Sequence, residues 1–165
     1  LERDGDIDRL VLLVARQFSL LLRDLLLEED VDLSRLEFLH YHTVADQLER
    51  VADHASKISD ATLALPNPVL PDVAKEIEQR ARDAISVLGR AVQSFENRNT
   101  DLANQVLQEK EHAEQLFQVT RRTAAQKQPD AAPSISIVID SLLRIREYAF
   151  NIAENALDAP TSGDV

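Results

Sequence analysis

Apolar residues recur at intervals of three and four along most of this chain, the spacing that lines one face of an α-helix. The first such run, Ile7, Leu10, Val11, Val14, Phe18, Leu21, Leu22 and Leu25, predicts a helix over about 6–28. Leu12, Leu13, Leu20, Leu26 and Leu27 fall on its other sides, so this helix is apolar nearly all round and wants neighbours on more than one face. A missing N-terminal helix, or a dimer partner, would supply that cover. A long second helix is expected over about 33–65, with Asp32 or Ser34 as its N-cap. Pro66, Pro68 and Pro71 end it and set a boundary. A third helix is predicted over about 72–98, with Ile77, Ala81, Ala84, Ile85, Leu88, Ala91, Val92 and Phe95 on one face. A polar turn at 97–100 leads into a fourth, ending near Gln126, and a fifth covers about 134–158 after the loop KQPDAAPS. The tail from Pro160 to Val165 is expected to be disordered. No alternation of period two is long enough for a sheet, so the fold class is all-α.

Two of these helices are copies. LERVADHASKISDATL, from Leu48 to Leu63, returns as LLRIREYAFNIAENAL, from Leu142 to Leu157, at a constant offset of 94 residues. That offset pairs Leu48 with Leu142, Arg50 with Arg144, Ala55 with Ala149 and Ile58 with Ile152. IDRLVLLVARQ from Ile7 aligns in the same way with AEQLFQVTRRT from Ala113, at an offset of 106. Similarity at fixed offsets means a duplicated helical unit. The offset falls by 12 between the two alignments, so the connection in the second copy is shorter by that amount. Divided over an antiparallel hairpin, it removes about six residues, or roughly 9 Å, from each helix and predicts a stubbier second bundle.

At 165 residues the chain can bury a core without staples, and it has no cysteine, which excludes disulfides and thiolate metal sites. Its longest apolar run, LVLLVA from Leu10, is far shorter than the roughly 20 residues of a membrane helix, so no membrane insertion is expected. The expected compartment is the cytoplasm. A net charge of −11 repels phosphate backbones and argues against direct nucleic-acid binding by this segment. Only four of the 18 basic residues are lysine, a composition that fits a salt-adapted source.

The candidate chemistry lies on the second helix. A helical wheel puts Leu48, Val51, Ala52, Ala55, Ile58, Ser59 and Thr62 on a buried stripe. Beside it, within an arc of roughly 60°, stand His42, Asp46, Glu49, Asp53 and Asp60, with no lysine or arginine among them. Such a face repels itself unless a cation or a partner compensates. Glu49 and Asp53, four residues apart, can share a metal through hard oxygen ligands, while a solvated acidic face is the plainer alternative. His40, His54 and His112 are expected at or near the surface, and Arg121, Arg122 and Lys127 as favourable charge near a helix C-terminus. No phosphate-cradling glycine loop, cysteine nucleophile or HExxH motif is present, so an enzyme is not expected.

LERVADHASKISD resembles the signature stretch of the PhoU family of phosphate-uptake regulators, and RIREYAFNIAE resembles a second, more divergent copy. VLGRAVQSFENRNTDLANQVLQEKEHAEQL is similar to the first two helices of a PhoU repeat. The resemblance implies tandem three-helix bundles: a first repeat over 1–65 supplying two helices, its first helix missing, and a second over 71–158 supplying three, with a disordered tail at 159–165. It is compatible with a fragment of an archaeal regulator that opens with an AbrB-like domain. It implies a divalent or iron- or zinc-type metal on the first repeat, held by Glu49 and Asp53 of an ExxxD motif with Asp4 and Asp8 from the preceding helix. The second repeat departs from that motif, carrying Leu143, Glu147, Lys110 and Glu114 at the matching positions.

The function implied is regulation of phosphate uptake or phosphate-responsive transcription, through contact with a phosphate transporter's ATPase or a sensor kinase, by a homodimer. Three alternatives stay open: a regulatory domain of a potassium transport system, a metal-binding helical bundle, and a dimerisation domain of an AbrB-type regulator.

Overall fold

The computed structural model describes residues 2–159, with side chains described over 5–110 and 114–159. Seven helices account for the fold among the described residues: α1 (Glu2–Leu22), α2 (Glu28–Val31), α3 (Arg35–Leu63), α4 (Pro71–Glu96), α5 (Thr100–Gln108), α6 (Lys110–Lys127) and α7 (Ala132–Asp158). They form an all-α bundle. No helix among the described residues is long and apolar enough to cross a membrane.

The first helix stops six residues short of the expected Glu28 although leucines continue beyond it. Asp24 turns left-handed at φ 55°, and the Leu25 amide reaches back to the Leu20 carbonyl at 2.9 Å while the Asp24 amide bonds Leu21. That pair of bonds closes the helix end whatever the hydropathy of the next residues. Arg98, at φ 50°, ends α4 in the same way, with the Asn99 amide on the Ser94 carbonyl at 2.8 Å. Of the two candidate N-caps for α3, Ser34 is the cap: its hydroxyl accepts from the Glu37 amide at 3.2 Å, and the Glu37 carboxylate accepts from the Ser34 amide at 3.0 Å. Asp32 instead ends α2 at φ 53°. The expected fourth helix is two helices, broken at Glu109.

The shorter offset of the second copy does not shorten its helices as expected. Residues 23–34 link α1 to α3, while only 128–131 link α6 to α7, so most of the deficit is in the connection. The two long final helices are similar, 29 residues in α3 and 27 in α7.

α3 and α7 pack antiparallel at the centre, as the pairs His40 with Asn155, Gln47 with Asn151 and His54 with Tyr148 show. α1 lies against the outer side of α3, with Phe18 stacked on Phe38 at 5.9 Å. α4 runs parallel to α7: Val73 and Ala84 share a core with Ile135 and Ile139, and Ala91 and Phe95 share one with Ala153 and Ala156. α6 runs antiparallel to α7, tied by Lys110 to Glu154 at 3.1 Å and by the Arg121–Asp140 pair.

The stripe expected to be buried on α3 is so only in part: Val51, Ala52 and Ile58 are half-buried, Val51 and Ile58 against the core. Phe38, Val44, Gln47 and Ala61 are the helix's buried residues, whereas Leu48, Ala55, Ser59 and Thr62 are exposed. Helix α7 presses on the flank next to that stripe, through His40, Gln47 and His54, and leaves Leu48, Ala55, Ser59 and Thr62 facing outward.

Candidate functional site

Helix α3 is capped by Ser34, runs eight turns and is clamped by α1 on one side and α7 on the other, so its carboxylates stand on a rigid frame. Glu49 and Asp53 follow each other at the helical repeat and are both half-buried. Partial burial raises the Glu49 carboxyl above its ordinary value, and the neighbouring charges of Asp53, Asp8 and Asp46 push it the same way against a weaker pull from Arg50. Asp8 is exposed on α1 yet acts on Glu49. The fold therefore brings the three candidates Glu49, Asp53 and Asp8 into one field of negative potential. The Asp4 side chain lies outside the described residues.

His42 reaches Asp46 at 3.7 Å and packs on Phe18 at 5.3 Å, and Asp60 is exposed nearly two turns beyond Asp53. Among the described residues no three histidine, aspartate or glutamate side chains converge as a metal-holding set. The described donors by themselves thus do not compose the ligand shell that the ExxxD motif suggests. What they make is an acidic face whose mutual repulsion Arg50 relieves only in part.

The second copy has neutralised the matching region. Lys110 and Glu154 form an ion pair there, and Glu147 is held by Arg144 at 2.6 Å. Arg121 and Lys127, expected as charge near the helix end, each take a carboxylate, Asp140 and Asp72 respectively. The His112 side chain lies outside the described residues.

Two constellations escape sequence reasoning. One is the polar seam between α3 and α7. His40 Nδ1 lies 2.6 Å from Asn155 Oδ1, the Asn151 amide donates to the buried Gln47 at 3.0 Å, and His54 packs on Tyr148. His54 Nδ1 is buried and meets no hydrogen-bonding partner among the described residues. Its pKa is lowered, first by burial and then by Lys57 and Arg144, against opposing pulls from Asp53 and Glu147. The other is a charged network inside the second copy. Arg146 is 3 % exposed, pairs with Asp83 and donates to the Glu109 carbonyl at 3.4 Å, just where α5 breaks into α6. Arg90 grips the Glu109 carboxylate at 2.7 and 2.9 Å and holds it below its ordinary pKa, and Glu109 raises Arg90 in return. An arginine where the first copy has Ala52 was the available signal, but nothing in the sequence pairs it with Asp83.

A search of curated protein sequences found no match. Among solved structures, the chain is similar to the crystal structure of the phosphate transport system regulatory protein PhoU from Streptococcus pneumoniae. The TM-score is 0.74 at 20% sequence identity, over 99% of this chain and 78% of that one, which establishes a shared fold. Residues 1–62 and 77–156 match the PhoU domain, and the stretch left between them contains the three prolines that follow α3. With duplicated helices, an all-α bundle and a match of that extent, this chain belongs to the PhoU family.

Proposed function

We propose that this chain is a non-enzymatic regulatory module that acts in the cytoplasm, restraining phosphate uptake or phosphate-responsive transcription by protein contact. Membership of the PhoU family carries the reading. The acidic face supports the contact mode: Glu49, Asp53, Asp46 and Asp8 present negative potential that raises the Glu49 pKa, and a basic partner surface relieves it. The partner class is the ATPase of a phosphate transporter or a phosphate-linked sensor kinase. In this reading the carboxylates serve as docking charges, and binding persists in the presence of a chelator.

The test is capture of partners on the tagged protein from lysates of its own cells, grown rich in phosphate and starved of it. Recovery of a transporter ATPase or a sensor kinase in one condition, lost with Glu49→Lys and Asp53→Lys together, supports the proposal. Recovery of a potassium transporter, or binding abolished by chelator alone, overturns it.

A further inference from the structure

The two copies join their paired helices by links of different length. Residues 128–131 carry the chain from α6 to α7, whereas 23–34 carry it from α1 to α3. Antiparallel helices need only the short link, so the longer one is surplus to the fold. That surplus is leucine followed by acid, LLLEEDVDL from Leu25 to Leu33. Leu25 and Leu27 are 63 % and 48 % exposed, and Leu22, Leu36 and Leu39 at the adjoining helix ends are exposed as well. The loop's polar groups are meanwhile engaged. Arg35 pairs with Asp24, its amide donates to Glu28 at 2.9 Å, and Asp30 accepts from the Leu27 amide at 3.2 Å. These bonds fix the loop with its leucines in water.

Apolar side chains gathered at one exposed place mark a contact surface. They do not belong to the open groove between α1 and α3. The offset of 94 sets Leu36 and Leu39 on Asp130 and Pro133, which stay exposed in the second copy although α4 covers it. Charge then selects the partner. Residues 23–35 hold five carboxylates against two arginines, and Glu29 and Asp32 have no cationic partner among the described residues.

We propose that the tip of the α1–α3 hairpin docks a cationic amphipathic helix of a partner protein. Leu36 and Leu39, three apart on α3, offer a ridge for such a helix to pack against, and Leu25 and Leu27 lie on the loop that Arg35 ties to the same end of α3. Lysines or arginines flanking its apolar face meet Glu29 and Asp32. An anionic lipid surface is repelled by the same carboxylates. This contact lies roughly 15 Å along α3 from Glu49 and does not depend on what the carboxylate face there binds.

The experiment is titration of the chain, at near-physiological salt, with a synthetic helix of about 18 residues that carries leucines along one face and lysines elsewhere. One control peptide has the same residues with the leucines scattered round the helix, and another has glutamate in place of lysine. The probe is expected to bind at least about tenfold more tightly than either control, and Leu25→Ser with Leu27→Ser to remove most of that advantage. Both leucines are exposed, so the variant keeps its helical circular dichroism. Glu29→Gln with Asp32→Asn weakens binding severalfold, while the charge-matched Glu49→Gln with Asp53→Asn leaves it unchanged. Equal binding of the scattered control, equal loss with both charge pairs, or indifference to the leucine variant overturns the proposal. So does attachment of the chain to phosphatidylglycerol or phosphatidylcholine vesicles that is lost with the leucine variant.

Discussion

His54 and Tyr148 occupy the same position of the repeat, 94 residues apart, and their rings pack on each other with centroids 5.7 Å apart at 45°. A residue that touches its own counterpart marks a pseudo-two-fold axis, here passing between α3 and α7. The neighbours obey the same relation. Arg50 lies over the Tyr148 ring at 5.9 Å, and its counterpart Arg144 is among the charges acting on His54. Where the copies meet they differ, with an imidazole on one side and a phenol on the other.

That divergence makes the junction of the copies sensitive to acid. Burial, Lys57 and Arg144 hold the His54 pKa below its ordinary 6.5, so the native state binds fewer protons than the unfolded chain. Stability is therefore full above pH 6.5 and is lost as the pH falls from there through the lowered value. His54→Phe keeps the ring contact and removes the titration. Urea midpoints at pH 7.5 and pH 5 should separate for the parent and stay nearly together for the variant over the histidine range.

Arg146 gives a second test. Removing Asp83 leaves a buried guanidinium without its carboxylate, so Asp83→Ala should destabilise by about 3 kcal/mol. Adding Arg146→Met to it removes the stranded charge and should restore most of that loss, the methionine filling the space beside Phe150. Chemical denaturation of the two single variants and the double variant closes the cycle. A double variant as unstable as Asp83→Ala would show that the network acts through something other than charge.

Glu49 carries a cost that its removal exposes. Its carboxyl is raised by partial burial and by Asp53, Asp8 and Asp46, so the native state holds its proton to higher pH than the unfolded chain does. Ionisation then destabilises the fold as pH rises past the ordinary value of 4.5. Glu49→Gln should raise stability at pH 7 by about 0.5 kcal/mol, the scale of a like-charge helical pair. The gain should vanish below pH 4.5, where both states are protonated. Thermal midpoints across that range check the sign.

The cap of α3 is a local test of a long helix. Ser34→Ala removes the hydroxyl that accepts from the Glu37 amide and should cost about 1 kcal/mol. The Ser34 backbone amide is the leading cause of the lowered Glu37 pKa and the Ser34 hydroxyl the next; the variant keeps the first and removes the second, so it should move that carboxyl part of the way back toward 4.5. An NMR titration of Glu37 in both proteins follows it.

The helices were legible because their information is local: period, caps and prolines placed α3, α4 and α7 to within two or three residues. The ends of α1 and of the expected fourth helix were not. Asp24 and Glu109 sit in runs that favour helix on both sides, and what breaks them is a left-handed backbone turn and, at the second, a break beside the buried Arg146. The carboxylate face was visible from spacing, and α1 adds Asp8 to it. The exposure of Leu48, Ala55, Ser59 and Thr62 could not be read from α3 alone, because their stripe's hydropathy matches a buried one and burial depends on which helices arrive. The polar seam was hidden for a related reason, since His40, Gln47 and Asn151 read as surface residues until α3 and α7 are laid side by side.

That seam also works as a mating code. Helices that are copies related by a two-fold axis are in principle free to pair with themselves, first half with first half, second with second. In a pairing of two first halves the same symmetry would set His54 against His54 and Gln47 against Lys57, and it would give His40 an alanine, Ala61, in place of Asn155. Only the mixed pairing keeps the bonds from His40 to Asn155 and from Asn151 to Gln47. The duplicated halves thus carry complementary rather than identical polar surfaces where they meet, which sets the first half to pair with the second in preference to a copy of itself.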